Sequence, residues 1–244
     1  MNHSSTKIAL VTGANKGIGF EVARQLAASG CTVLLGARNR ALGEDGAERL
    51  RGEGLDVRYL ALDLNDHATI VAAAGTIAAE FGHLDILVNN AGINDPSDGL
   101  PSTAKLDAIE RVFRTNFLGS VAVSQAMLPL LRKALSARIV NVSSGLGSLT
   151  KNSDPAYTYA TVKLIGYSAS KAALNMFTAQ LTYELRGTSI KVNSADPGYT
   201  ATDLNGHSGP QTIPEGAAET IRLALLPGDG PTGTFSDSKG IIPW

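Results

Sequence analysis

Short, largely apolar runs alternate with longer amphipathic stretches from one end of the chain to the other, and that alternation limits the folds open to it. Ile8–Thr12, Thr32–Ala37, Val57–Leu62, Leu84–Asn89, Arg138–Ser143 and Ile190–Ala195 read as strands. Apolar character on successive residues marks strands covered on both faces. Gly17–Ser29, Ala41–Arg51, Asp66–Phe81, Lys105–Ala134, Tyr167–Leu185 and Pro214–Leu226 read as helices between and after them. In the first, Ile18, Val22 and Leu26 form one stripe and Gly30 ends it; Gly82 ends the third in the same way. Buried strands joined by helices predict a parallel sheet, and right-handed crossovers make it doubly wound. The expectation is an α/β chain of about seven strands flanked by helices. No repeat, linker or low-complexity stretch interrupts it, so residues 1–244 are expected to form one domain.

Composition agrees. Of 244 residues, 43% are hydrophobic and 18% charged, which supplies a large core and excludes a disordered chain. Lys and Arg number 21 against 22 Asp and Glu, so no basic excess points to nucleic acid or an anionic membrane. Cys31 is alone and the four His are scattered, so neither a disulfide nor a metal cluster is expected. Met1–Lys7 is short and polar, unlike a signal peptide, and no apolar run approaches the ~20 residues of a membrane helix. A cytoplasmic location is the expectation.

Three segments leave the carboxyl ends of strands, where such sheets bind ligands: Gly92–Ser102, Ser144–Gly166 and Gly198–Ile213. A glycine turn, Thr12-Gly13-Ala14-Asn15-Lys16-Gly17-Ile18-Gly19, joins the first strand to the first helix. Glycines there let the backbone approach a pyrophosphate at the helix N-terminus. The spacing is neither G-x-G-x-x-G nor a P-loop. Further along stand Asn89-Asn90-Ala91-Gly92, Thr115-Asn116-Phe117, Ser143-Ser144, Tyr167-Ser168-Ala169-Ser170-Lys171 and Pro197-Gly198 with Thr202.

These six ordered motifs resemble those of the short-chain dehydrogenase/reductase family. The glycine turn, Thr115–Phe117 and the tail Glu215-Gly216-Ala217…Leu223-Ala224-Leu225-Leu226-Pro227 are most similar to the NADPH-dependent carbonyl reductases, although the insert before Tyr167 is shorter than in animal members. The resemblance implies a Rossmann-type fold and a catalytic set of Asn116, Ser144, Tyr167 and Lys171. It implies cofactor contacts from Gly13, Asn15, Lys16, Gly17, Ile18 and Gly19 in the turn, and from Asp63, Leu64, Asn90, Ala91 and Gly92 after later strands. Tyr167, Lys171, Pro197, Gly198 and Thr202 complete that set. It also implies that segments 145–166 and 198–213 shape the substrate pocket. Pairing of the long helices makes many relatives oligomers, which leaves a homodimer or homotetramer open here.

Reduction of a carbonyl needs a hydride donor and a proton donor at oxygen. A free phenol has a pKa of ~10, too high for easy exchange at neutral pH. An ammonium about 4 Å away contributes at most ~4 kcal/mol at an effective dielectric of ~20, enough to lower that pKa by up to ~3. Lys171 is therefore expected to poise Tyr167, with Ser144 stabilising charge on the substrate oxygen; the resemblance implies that Lys171 also holds the ribose hydroxyls and that Asn116 holds a relay water. Tyr159-Ala160-Thr161-Val162-Lys163 also fits Y-x-x-x-K. Its spacing to Ser144 favours Tyr159, but the small Ala169 and Ser170 and the interval to Pro197 favour Tyr167.

After the second strand an NAD enzyme usually carries an acid for the ribose 2′-hydroxyl. Leu35-Gly36-Ala37-Arg38-Asn39-Arg40 carries none. Arg38 suits a bidentate grip on a 2′-phosphate, with Lys16 in reach, so NADPH/NADP+ is the expected cofactor. The expected activity is NADPH-dependent reduction of a ketone or aldehyde. Alternatives are an alcohol or steroid dehydrogenase working oxidatively, and a non-catalytic NADP-binding sensor.

Overall fold

The structure is a computed structural model that describes residues 6–244; residues 1–5 of the polar lead-in lie outside the described residues. Strands β1 (Ile8–Thr12), β2 (Thr32–Ala37), β3 (Val57–Ala61), β4 (Ile86–Asn89), β5 (Arg138–Val142), β6 (Lys191–Ala195), β7 (Phe235–Asp237) and β8 (Gly240–Ile241) form one sheet. Their order is β3-β2-β1-β4-β5-β6-β7-β8. Every pairing is parallel except β7 with β8. The last two strands are too short and too polar to show as apolar runs.

The strands are apolar on successive residues because each face meets its own core. Ala9, Val11, Val33 and Leu35 face one layer, completed by residues of α1 (Gly17–Ala28), α2 (Arg40–Gly52) and α8 (Ile213–Ala224). Ile8, Leu10, Leu34, Leu87 and Ile139 face the other, with α3 (His67–Glu80), α5 (Ser120–Leu131) and α7 (Ile165–Glu184). Side-chain caps start the helices where turns demand it. Asn39 accepts from the Leu42 N–H, Asp66 from the Ala68 N–H, Ser148 from the Lys151 N–H at the start of α6 (Leu149–Ser153), and Thr212 with Glu215 forms a capping box.

The stretch expected as one helix over Lys105–Ala134 runs as α4 (Leu106–Phe113), a π-helical turn over Arg114–Gly119, and α5. The wide turn seats Gly119 on Leu64, where a Cβ would stand 2.6 Å from the leucine Cβ. A π turn inside an α-helix is rare and often marks a functional site; this one carries Asn116.

Beneath the strand ends a buried polar chain ties the layers together. Asn89 Nδ2 donates to Asn141 Oδ1 at 2.8 Å, Asn141 Nδ2 to Thr178 Oγ1 at 2.8 Å, and Thr178 Oγ1 meets Ser194 Oγ at 2.8 Å. Such paired groups hold β4, β5, β6 and α7 in one arrangement. After β3 the chain crosses to the other side of β1, so the winding reverses between β1 and β4 and leaves a crevice at their carboxyl ends.

Candidate active site

That crevice is a cleft of about 600 Å³. It is lined by Gly13, Asn15, Lys16, Gly17, Ile18, Gly19, Arg38, Asp63, Leu64, Asn90, Ala91, Gly92, Tyr167, Lys171, Pro197 and Thr202. With Val142 and Ser143 at the end of β5, segments from six strand ends converge on one space. Gly198 does not line it: its φ of +68° turns the chain toward Gln211, and its N–H donates to Asp196 Oδ1 at 2.9 Å.

The glycine turn is built for close approach. Gly13 has a φ of +62°, and a Cβ there would stand 2.9 Å from Ala91 Cα. Gly19 makes room for the Asn90 side chain, whose Nδ2 donates to the Thr12 carbonyl at 2.9 Å. Thr12 Oγ1 accepts from both the Asn90 and Ala91 N–H groups at 3.0 Å, fastening β1 to the end of β4. No side chain caps α1, so its first N–H groups stand open at the cleft, a ready anion site. Arg38 is exposed on the rim, while Lys16 pairs with Asp203 at 2.6 Å. Asp63 forms a turn, with Oδ1 accepting from the Asn65 N–H at 2.9 Å.

Tyr167 and Lys171 stand one turn apart on α7, and the Lys171 ammonium lies 5.6 Å from the centre of the Tyr167 ring. Lys171 Nζ donates to the Val142 carbonyl at 2.7 Å. Gly147 is the floor for this turn, where a Cβ would stand 2.8 Å from Lys171 Cβ. Ser144 Oγ accepts from the Leu146 N–H at 3.2 Å and so caps the short 3-10 turn, Gly145–Gly147, that follows β5.

The electrostatics differ from the sequence expectation. Burial pushes the Tyr167 phenol up to about 12, and the negative Asp196 adds to the rise; a hydrogen bond with Ser144 works against it. Burial pulls the Lys171 ammonium down to about 8, partly offset by Asp196. The net shift of the phenol is upward and not downward as expected: loss of water dominates for both groups, and the ammonium is directed at the Val142 carbonyl. Asp196 is a buried carboxylate held above its usual range, chiefly by desolvation. It carries no expectation from the sequence, because its burial depends on Gly145, Tyr157 and Gly198 closing round it.

Asn116 is fully buried beneath the cleft. Its Oδ1 accepts from the Ile93 N–H at 2.8 Å, and its Nδ2 donates to the Ile93 carbonyl at 2.9 Å and to Ser170 Oγ at 3.1 Å. The side chain expected to hold a water is thus committed first to Ile93. A Cβ on Gly92 would lie 3.4 Å from Lys171 Nζ and 3.5 Å from Asn116 Oδ1, so these two groups face each other across Gly92.

The rival motif looks different. Tyr159 and Lys163 lie in irregular turns and Lys163 is exposed, so no helix brings the pair together. Tyr159 packs edge-on against Tyr157 and Tyr199, with ring centres 5.6 and 5.7 Å apart. Asn94 Nδ2 donates to the Leu204 carbonyl at 2.6 Å, so all three loops meet over the cleft. Asn94, Asp203 and Leu204 also line it, none of them in the sequence motifs, and so does Ser143 of the Ser143-Ser144 pair. Among the described residues no group of His, Cys, Asp and Glu could hold a metal ion.

A cleft at the switch point of a doubly wound sheet is where such folds take a dinucleotide. Comparison with known proteins narrows the class. The family model for short chain dehydrogenases matches residues 7–212, and the chain belongs to that oxidoreductase family. Carbonyl reductase (NADPH) 1 of Sus scrofa is 33% identical over 279 residues, covering 99% of this chain and 95% of that protein. (+)-Neomenthol dehydrogenase of Capsicum annuum is 31% identical over 308 residues, covering 98% of each. Among solved structures, NADPH-bound carbonyl reductase from chicken fatty liver superposes with a TM-score of 0.85 at 29% identity, covering 98% of this chain and 94% of that one.

Proposed function

We propose that the protein is an NADPH-dependent carbonyl reductase with Tyr167 as proton donor. The observation that carries this reading is the convergence of the open α1 N-terminus, Arg38, Tyr167 and Lys171 on one cleft. The cradle fits a nicotinamide dinucleotide: Gly13 and Gly19 leave room for its backbone approach, and Arg38 would meet a 2′-phosphate where an NAD site would offer an acid. When bound, the reduced cofactor supplies hydride. Tyr167, fully protonated at neutral pH, donates its proton to the carbonyl oxygen. Ser144 donates to that oxygen and stabilises the charge that develops there. Lys171 holds the ribose hydroxyls and, through Asn116, the route by which Tyr167 is reprotonated. Asn94, Tyr159, Tyr199 and Leu204, from the three loops, would wall the substrate, a small ketone or aldehyde.

Loss of absorbance at 340 nm with NADPH and a panel of ketones and aldehydes is the expected result. Binding of NADPH with no turnover across the panel would leave a cofactor-binding sensor instead. Cofactor choice gives a sharper test. Arg38→Asp exchanges a phosphate grip for repulsion at an exposed site, which costs about 2–3 kcal/mol. Preference for NADPH over NADH, measured as the ratio of kcat/KM values, should fall by roughly 30- to 150-fold. Lys16→Ala should act in the same direction but less, since Lys16 is exposed and already paired with Asp203. Equal use of both cofactors by the unaltered enzyme would refute the assignment of Arg38.

A further inference from the structure

Helix α7 carries Tyr167 and Lys171, yet its N-cap residue, Leu164, offers no side-chain cap. Its first three N–H groups are taken by a segment nearly seventy residues earlier. Ile165 N donates to the Gly99 carbonyl at 3.0 Å, Gly166 N to Asp98 Oδ1 at 2.9 Å, and Tyr167 N to Asp98 Oδ2 at 2.8 Å. We propose that Asp98 is a positioning residue for the reaction: its carboxylate caps the catalytic helix from another loop and sets where Tyr167 stands over the cleft. The proposal rests on the reading of Tyr167 as proton donor.

A carboxylate at a helix N-terminus is favoured both by the N–H bonds and by the helix dipole. Here one of those N–H groups belongs to Tyr167 itself. Gly166 is what permits the contact, since a Cβ there would stand 3.1 Å from Asp98 Oδ2 and 3.1 Å from Ile109 Cα. The loop that brings Asp98 is braced. Ser97 N donates to Asp95 Oδ1 at 2.9 Å, Asp98 N to the Asp95 carbonyl at 2.9 Å, and Arg111 Nε to Asp95 Oδ2 at 2.9 Å. The same loop starts at Gly92, which lies against Lys171 and Asn116 in the cleft wall. Asp98 does not line the cleft, so it acts through the Tyr167 amide and not on the reacting atoms. One short loop thereby fixes the distance between the dinucleotide-binding strand end and the proton donor.

The test compares Asp98→Ala and Asp98→Asn with the unaltered enzyme. Three quantities are read: single-turnover NADPH oxidation per titrated NADPH site, the Kd for NADPH, and amide exchange over residues 165–168. A misplacement of about 1 Å can cost ~10²-fold in rate. Asp98→Ala should therefore lose roughly ten- to a hundredfold in per-site rate, with Kd within about twofold. Its Gly166 and Tyr167 amides should exchange faster, and the pH profile should keep its basic limb. Asp98→Asn keeps an acceptor for one N–H and turns its NH2 toward the other, so its rate should fall between. An unchanged per-site rate in Asp98→Ala, or a loss explained wholly by fewer binding sites, overturns the proposal. Should Asp98→Ala fail to fold, an unaltered rate in Asp98→Asn does the same. Lack of carbonyl turnover in the unaltered enzyme would defeat the functional reading instead, while slowed or unchanged exchange at Gly166 and Tyr167 in the variants would still defeat the cap.

Discussion

Tyr167→Phe is expected to lower kcat for carbonyl reduction by ~10²–10⁴-fold, the usual contribution of a positioned general acid. The substitution deletes one oxygen and keeps the ring, so the packing of α7 and the contact with Lys171 survive. NADPH affinity should stay within about twofold. Tyr159→Phe removes a hydroxyl from a ring held by Tyr157 and Tyr199 on the loops. Its loss should cost roughly 1 kcal/mol, or less than about tenfold in kcat. Steady-state kinetics on one reducible ketone, with NADPH binding followed by fluorescence, decides between the two tyrosines. The opposite ranking would move the proton donor to the loop and empty the helix pair of its proposed role.

Lys171→Met should separate activity from stability. Loss of a buried donor aimed at developing or bound charge typically costs ~10²–10³-fold, so kcat/KM should fall by that much. Stability should move the other way. The fold pulls the lysine down to about 8 from its ordinary 10.5. Between those pH values the unfolded chain binds the proton and the folded chain does not, so stability gained from this group rises with pH across that window. Below about 8 the folded protein carries the full cost of a buried charge, and the neutral methionine escapes it. Tm at pH 7 is therefore expected to rise in the variant, and its slope between pH 8 and 10 to flatten. Tyr167 does not interfere there, because its phenol stays protonated up to about 12. NADPH affinity should weaken as pH rises through 8 in the unaltered enzyme and stay level in Lys171→Met. A variant with lowered Tm at pH 7 would show that the bond to Val142 outweighs the cost of burial.

The parts of this molecule that were legible in advance are those set by local pattern. Strand β2 begins and ends on the residues its apolar run predicts, because both faces are buried and no polar residue blurs the edge. The glycine turn was legible because only glycine tolerates the approach of Ala91 and Asn90. What escaped depends on residues far apart in the chain. Helix α7 begins at Ile165 and not at Tyr167 because Asp98 caps it from a distance no sequence window spans. Lys16 reads as a free phosphate ligand, yet Asp203, 187 residues on, takes it across the cleft mouth. The π turn at Asn116 leaves no mark in the apolar spacing, since it follows from Gly119 settling on Leu64. The charge balance of Tyr167 and Lys171 is hidden from the sequence for a related reason. Distance between the two was foreseeable from their spacing, but the removal of water from both is a property of the assembled core.

The sheet order has a consequence for how the chain is made. Strand β1 lies inside the sheet, between β2 and β4. The first neighbour is synthesised almost at once, but the second is not: the Ile8 amide meets Asp85, 77 residues later. At translation speeds of about 5–20 residues per second, ~4–15 s pass before β4 exists. For the last ~1–5 s of that time, between the end of β3 at Ala61 and the start of β4 at Ile86, the nascent half-sheet β3-β2-β1 has a bare, apolar edge of the kind that recruits other chains. The helix layer over Ala9 and Val11 is completed later still, since α8 adds Ile221 and Leu223 to the residues of α1 and α2 from near the other end of the chain. Dependence on chaperones should therefore concentrate on ribosomes that have passed β3 and not yet reached β4, and pauses placed in that interval should raise the yield of insoluble protein.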